Sequence, residues 1–158
     1  MADLRAVLGE LGYEAVKTHL ISGNAIFTSS KPPRAVAEEV AQAIDKDLLA
    51  GIKVVVLSRS ELARVIADNP LPKAADDGSK FLVLFLSAKI DPAALDDLDP
   101  ADFAPEEFRL GEHEIYVWCR NGIQDSKLMK ALAKQDLGVT ATARNWNTVT
   151  RLLELAST

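Results

Sequence analysis

Two successive stretches of this 158-residue sequence repeat nearly the same order of helix-like and strand-like patterns. Residues 2–59 read as helix, strand, strand, helix and strand, followed by a further helix. Residues 81–145 read as strand, helix, strand, strand, helix and strand, again followed by a helix. The two orders agree if the first stretch lacks its opening strand. The sequence therefore predicts an approximate duplication of one topology, although few side chains are identical between the two stretches.

Several segments within this order carry strong local signals. An apolar stripe at helical spacing from Leu4 to Leu11 predicts the first helix, and Gly12 is expected to end it. The run "IKVVVLSR" is continuously apolar, which is typical of a buried strand, and a helix capped by Ser60 is expected to follow it. The segment "DPAALDDL" is predicted to form a short acidic helix.

The order of elements in the second stretch is that of the ferredoxin-like βαββαβ arrangement. We therefore predict an α+β fold with two ferredoxin-like lobes, the first without its opening strand, and a C-terminal helix. The loop "LPKAADDGSK" has turn chemistry and is interpreted as an inter-lobe linker. The predicted division is residues 1–70 for the first lobe, 71–80 for the linker and 81–158 for the second lobe.

The missing strand has consequences for the first lobe. A ferredoxin-like sheet has the strand order 4-1-3-2, so the absent first strand is an interior one. Without it, the strand "IKVVVLSR" loses its neighbour and exposes an apolar edge. Either the sheet rearranges, a partner chain covers the gap, or the natural protein is longer. One expectation is a homodimer formed through this edge at residues 52–57.

The bulk composition excludes several classes of protein. The net charge of −5 argues against a protein that coats nucleic acid. The single cysteine, Cys119, cannot form an internal disulfide and suits a reducing cytoplasm. No apolar run approaches the roughly 20 residues that a membrane span needs. His19 and His113 lack the spacing of a metal site, and no cofactor fingerprint is present, so we expect neither a metal nor a cofactor.

The charge is nevertheless distributed unevenly along the chain. Residues 120–151 contain six basic and two acidic residues, a local excess of four positive charges. This basic stretch is either a solvated surface or a face that attracts anions.

The segment "TARNWNTVTRLL" places polar residues where a strand is expected to meet the last helix. If Asn145 is the cap, the helix buries an apolar face that begins at Trp146. Alternatively, the helix N-terminus binds an anion with help from the preceding Arg144. The candidate ligand-binding residues here are Arg144, Asn145, Asn147, Thr148 and Arg151.

Two further pairs of residues complete the candidate ligand site. Ser126 and Lys127 lie at a second helix start in the basic stretch, where they are either a cap and a solvated lysine or contacts to a ligand. Ser22 and Asn24 flank the glycine of the turn "ISGN", which is either turn chemistry or the polar edge of a cleft.

A resemblance to a known family rests on the segments "MADLRAVLGELGYEAVKTHLISGNAIF", "DPADFAPEEF" and "GIQDSKLMKALAKQDLGVTATARNWNTVTRLLEL". Over nearly its whole length the chain resembles the bacterial family catalogued as domain of unknown function 1697. Members of that family usually begin with a strand and a glycine-rich turn, and the absence of that segment here fits the missing opening strand. The resemblance implies a two-lobed α+β fold with an unknown activity.

The sequence leaves three classes of function open. The first is a protein that binds a small anionic ligand or a protein partner through the polar, basic site near the last helix. The second is an enzyme acting on a phosphorylated metabolite, although no general base is evident. The third is an RNA-binding module that stacks bases on Tyr116 and Trp118, which the nearby Glu112 and Glu114 disfavour by repelling phosphate.

Overall fold

Two compact units make up the chain in the computed structural model, which describes residues 2–19, 24–47, 54–135 and 137–156. The first unit is Met1–Ala63 with Arg151–Thr158, and the second is Arg64–Thr150. Both contain helix and sheet, which confirms the predicted α+β class. None of the helices in the described part of the chain is long and apolar enough to cross a membrane.

The first unit begins with a helix, a two-stranded hairpin and a second helix. These are α1 (Ala2–Glu10), β1 (Glu14–His19), β2 (Asn24–Thr28) and α2 (Pro33–Asp47). The strands pair antiparallel, with Lys17 opposite Ile26. Gly12 follows α1 at a φ of +89°, in the left-handed region that glycine adopts without the steric cost of a side chain.

An apolar cluster holds the first unit together. Val36, Val40 and Ile44 lie four residues apart along α2, so they share one face of the helix and are all buried. Tyr13 packs into the same cluster and stacks on Phe27 of β2, with the ring centroids 4.4 Å apart. Burial of each such aliphatic side chain contributes about 1.5–3 kcal/mol to folding.

The predicted strand "IKVVVLSR" is not a strand in its described part. Residues 54–58 form neither helix nor strand, although Val54 and Val56 pack against the cluster of the first unit. A strand exists only when a neighbour completes its backbone hydrogen bonds, and none of the described strands pairs with this segment. A continuous apolar run is therefore insufficient to make a strand here. The homodimer through residues 52–57 stays a prediction.

The next helix, α3 (Arg59–Ala67), begins earlier than its sequence indicated. Its cap is Ser58, not Ser60 as predicted. The Glu61 N–H donates to Ser58 Oγ at 3.1 Å, and the Ser58 N–H donates to Glu61 Oε1 at 2.9 Å. This reciprocal pair is a capping box, and Ser60 has no glutamate three residues later to form one.

The second unit is built on a four-stranded antiparallel sheet. Its strands are β3 (Phe81–Leu86), β4 (Glu107–Leu110), β5 (Glu114–Trp118) and β6 (Ala141–Asn145). They lie in the order β4-β5-β3-β6. Helix α4 (Lys127–Lys134) lies between β5 and β6, and helix α5 (Trp146–Ala156) directly follows β6.

The connection from β3 to β4 contains no α-helix, contrary to the prediction for "DPAALDDL". Two short 3-10 helices, Pro92–Leu95 and Pro100–Asp102, take its place. Proline is favoured in the first turn of a helix, so each short helix begins at a proline, and Pro100 cannot continue a helix that starts at Pro92. Asp91 and Asp99 accept from the N–H groups of Ala93 and Ala101, both at 3.0 Å.

Residues 71–80, which we predicted to be an inter-lobe linker, contain a further 3-10 helix, Pro72–Asp77. They belong to the second unit, and Ala74 is completely buried.

The sheet of the second unit has two covered faces. One face, which we term the α4 face, packs Leu82, Leu84, Ile115 and Val117 against Leu128 of α4. The alternate residues of β3 and β5 point the other way, to what we term the Tyr116 face, which includes Phe81, Val83 and Tyr116. All six residues of β3 are buried, as expected for a central strand covered on both faces.

Candidate functional site

The start of α5, the leading candidate from the sequence, is a capped helix end. The Thr148 N–H donates to Asn145 Oδ1 at 2.9 Å, and the Trp146 N–H donates to the Gly78 carbonyl at 3.2 Å. Two of the backbone donors at this helix start therefore have protein partners. The cap interpretation of Asn145 is confirmed, and fewer N–H groups are left for an anion.

The apolar face of α5 is used for packing. Trp146 is 7% exposed and stacks on Phe81, with the ring centroids 4.9 Å apart. Val149 is completely buried. The predicted packing role of both residues is confirmed.

Ser126 and Arg144, which the prediction placed in one site, lie on opposite faces of the sheet in the second unit. Ala143 packs on the α4 face, so Arg144 points to the Tyr116 face. Its guanidinium donates to Thr142 Oγ1 and to the Ala143 carbonyl, both at 2.8 Å, and burial lowers its pKa. Ser126 is the buried cap of α4, where its Oγ accepts from the Met129 N–H at 3.0 Å.

The remaining predicted site residues are dispersed. Lys127 and Asn147 are exposed, Thr148 and Asn24 are buried, and Arg151 pairs with Glu154 at 3.0 Å on the surface of the first unit. Ser22 lies outside the described residues. The structure does not bring these side chains into one group, and their ligand roles stay predictions.

The single cysteine, Cys119, lies beside two buried polar side chains, Ser126 and Glu106. Cys119 is completely buried, and the hydroxyl of Ser126 beside it donates to the carboxylate of the buried Glu106. Burial raises the pKa of the Cys119 thiol to about 11. The thiol is therefore protonated at neutral pH and packs as a small apolar side chain, which agrees with the first interpretation of its sequence context.

Of the two aromatic residues required for RNA binding, Tyr116 is buried and Trp118 is partly buried. Tyr116 is 1% exposed and its hydroxyl donates to the Val65 carbonyl at 2.6 Å. The ring of Trp118 is covered by the guanidinium of Arg120, 3.9 Å from the ring centroid. A base cannot stack on Tyr116 in this conformation, so the RNA-binding alternative lacks its stacking platform.

A cleft of about 450 Å³ in the second unit gathers charges that the sequence did not single out as a site. We term it the Arg64 cleft. Its charged lining consists of Arg64, Asp68, Arg109, Glu112 and Glu114, beside Tyr116 and the apolar Leu110. Within the described residues, no three His, Cys, Asp or Glu side chains are arranged to hold a metal ion.

The floor of the Arg64 cleft is a buried carboxylate. Glu114 is 1% exposed and accepts from Arg64 through both oxygens, at 3.5 Å to Nη1 and 3.4 Å to Nη2. The His113 N–H donates to the same carboxylate at 3.0 Å, and the Tyr116 hydroxyl lies 3.4 Å away. These contacts satisfy a charge that would be very costly to bury alone.

The floor also changes the acidity of its neighbours. Burial alone would lower the pKa of Arg64, but the hydrogen bonds and charge of Glu114 outweigh it, so the pKa is raised. Burial, followed by the charge of Glu114, raises the pKa of Tyr116 far above its usual value. At neutral pH the guanidinium is charged and the phenol is neutral.

The rim of the Arg64 cleft carries charges of both signs. Asp68 and Glu112 approach Arg64 Nη1 at 3.3 Å and 3.8 Å, and about 60% of each side chain is exposed. Arg109 lies opposite Tyr116 in the pairing of β4 with β5. It is half-exposed, donates to the Phe108 carbonyl at 2.8 Å and is loosely paired with a glutamate 3.8 Å away.

Gly111 is required by the close approach of Glu114 to the backbone. A methyl group at Gly111 would lie 2.3 Å from Glu114 Oε1, and the buried carboxylate cannot move without weakening its bonds to Arg64. We therefore expect Gly111→Ala to lower the free energy of unfolding by about 1–3 kcal/mol, measured by urea denaturation.

Gly78→Ala is the matched control. A methyl group there would lie 2.1 Å from Asn147 Oδ1, but Asn147 is exposed and free to rotate away. The backbone at Gly78 (φ −59°, ψ −25°) also suits alanine, so its effect is expected to stay within about 0.5 kcal/mol. Equal losses of unfolding free energy in the two variants would contradict a steric clash between a methyl group at position 111 and the Glu114 carboxylate.

Comparison with known proteins identifies the family but no reaction. A solved structure described as a conserved bacterial protein from Streptococcus pneumoniae has a TM-score of 0.80 and 21% identity, covering 100% of this chain and 89% of that one. At this identity the likeness shows the fold alone. No match is found among curated proteins. The model of the family "Protein of unknown function (DUF1697)" matches residues 1–116, more than half of the chain. The chain therefore belongs to the DUF1697 family of proteins of unknown function.

Proposed function

We propose that this protein binds a small molecule that carries an anionic group, and that the Arg64 cleft is the binding site. The observation that carries the proposal is the cleft itself, whose volume of about 450 Å³ falls in the range of small-molecule sites, roughly 300–1,000 Å³. The half-exposed guanidinium of Arg109 on its rim supplies a planar, charged donor for a carboxylate or phosphate.

The floor of the cleft favours binding because it is held in place before a ligand arrives. Glu114, Arg64 and the hydroxyl of Tyr116 form a connected network between the last turn of α3 and β5. Side chains locked by such bonds lose little conformational freedom when a ligand contacts them.

The same network gives less support to catalysis. Glu114 is buried and ion-paired, so it is a poor general base, and the Tyr116 hydroxyl already donates to a backbone carbonyl. For this reason we favour binding over the alternative of an enzyme that acts on a phosphorylated metabolite.

The scaffold that presents the cleft is, we further propose, ferredoxin-like in the second unit. The strand order β4-β5-β3-β6 and the antiparallel pairing of all neighbours support this, because they match the order 4-1-3-2 read from the opposite edge. In that arrangement the cleft lies beside the edge strand β4.

The test is a thermal-shift screen with small carboxylates and phosphates. Wild-type protein is expected to be stabilised by at least one of them by roughly 2–4 kcal/mol at saturating concentration. The stabilisation should disappear in Arg109→Gln and persist in Arg144→Ala. The reverse pattern would place the anion at the start of α5, as first predicted from the sequence, and would refute the Arg64 cleft as the site.

A further inference from the structure

We infer that the ligand of the Arg64 cleft is a zwitterion of the amino-acid class, with a carboxylate held by Arg109 and an ammonium group held between Asp68 and Glu112. This inference rests on the proposed function, because it specifies the chemistry of the ligand that the cleft binds. It goes beyond an anionic group by assigning the second charge and the residues that recognise it.

The balance of charge in the cleft calls for a cationic group. Two guanidinium groups, Arg64 and Arg109, face three carboxylates, Asp68, Glu112 and Glu114. Arg64 is committed to the buried Glu114 through both of its terminal nitrogens. A purely anionic ligand on Arg109 leaves this excess of one negative charge in the lining unchanged, whereas a ligand that also carries a cationic group offsets it.

The positions of the two rim carboxylates suit an ammonium group. Both approach the same nitrogen, Arg64 Nη1, and neither contact is short. They therefore converge on a small region of the rim, where a compact ammonium group can donate to both. Because both side chains are largely exposed, they lose little when they exchange a long contact with Arg64 for a ligand.

The apolar part of the lining completes the match to an amino acid. Pro70 and Leu110 also line the cleft and offer contact to an aliphatic or aromatic side chain.

The experiment is isothermal titration calorimetry of the full chain with the standard L-amino acids. Each amino acid that binds is then compared with its N-acetyl derivative, which lacks the ammonium group, and with its amide, which lacks the carboxylate. We expect at least one free amino acid to bind, and both derivatives to bind at least about tenfold more weakly.

Two variants assign the ammonium contact. Asp68→Asn and Glu112→Gln alter exposed side chains, so both are expected to fold as the wild type does. Each should weaken the free amino acid about three- to tenfold and leave the N-acetyl derivative unchanged. An effect on both compounds alike would contradict recognition of the ammonium group.

The outcomes separate this inference from the proposed function. An N-acetyl derivative that binds as tightly as the free amino acid overturns the zwitterion. The zwitterion is also overturned if a carboxylate or phosphate without an amine binds through Arg109 while no amino acid binds. In that case the proposed function stands. If no ligand depends on Arg109, both fail.

Discussion

Replacement of Arg64 by methionine is expected to lower the free energy of unfolding by about 3–5 kcal/mol. Methionine keeps the apolar stem in place but removes the charge that pairs with Glu114, which is only 1% exposed. Without Arg64, the buried carboxylate would keep only the His113 N–H at 3.0 Å and the Tyr116 hydroxyl at 3.4 Å, and these contacts do not balance its charge. Urea denaturation at neutral pH, with the slope of the transition compared between variants, measures the effect.

Two further variants separate the ion pair from the side chain. Arg109→Met removes a half-exposed guanidinium with one loose ion pair and is expected to change the free energy of unfolding by less than about 1 kcal/mol. Arg64→Met combined with Glu114→Met should recover most of the lost stability, because replacing both partners of a buried pair by apolar residues is often neutral. A single Arg64→Met variant as stable as Arg109→Met would show that Glu114 does not depend on Arg64.

The Arg64 cleft, the binding site that we propose, has this structural ion pair as its floor. The pair fixes the end of α3 near β5, and the exposed carboxylates on Arg64 remain at the rim. A ligand that contacts the rim therefore meets a surface whose shape is set by a buried interaction.

Three helix boundaries set by local signals were predicted correctly from the sequence, although the cap of α3 is Ser58 and not Ser60. Gly12 ends α1 because it adopts a positive φ, and Asn145 begins α5 because its side chain caps the Thr148 N–H. Ser126 caps α4 in the same way. In each case the residue that determines the boundary acts on a backbone group within three positions, so the sequence pattern alone contains the information.

One predicted strand failed because its structure depends on distant neighbours. Residues 54–58 have the composition of a strand, but none of the described strands pairs with them. The segment "DPAALDDL" fails for a local reason, since a 3-10 helix forms at Pro92–Leu95 in place of the predicted α-helix. Strand pairing is a tertiary property that hydrophobic patterning does not specify.

The Arg64 cleft was missed for the same reason. Arg64 and Glu114 are 50 positions apart in sequence, and each looks like an ordinary surface charge in its own segment. One local signal was present. Glu114 and Tyr116 are two positions apart along β5, so their side chains point to the same covered face of the sheet. A charged residue on the inward face of a predicted strand implies a buried partner, but it does not identify that partner.

Replacement of Trp146 by alanine is expected to destabilise the protein by about 3–5 kcal/mol, which urea denaturation will measure. Trp146 is 7% exposed and stacks on Phe81, which is completely buried under it. Alanine would leave a large cavity against the central strand β3, and the aromatic contact itself adds about 0.5–1.5 kcal/mol to the area that is lost.

Two controls define which part of the segment "TARNWNTVTRLL" stabilises the fold. Trp146→Phe keeps an aromatic ring against Phe81, so it should cost clearly less than alanine does. Asn147→Ala changes the exposed neighbour and is expected to stay within about 0.5 kcal/mol. If Trp146→Ala cost no more than Asn147→Ala, the packing interpretation of α5 would be wrong. Packing of Trp146 would then not account for the residues at the start of α5, and the polar residues around it would be better interpreted as a binding surface.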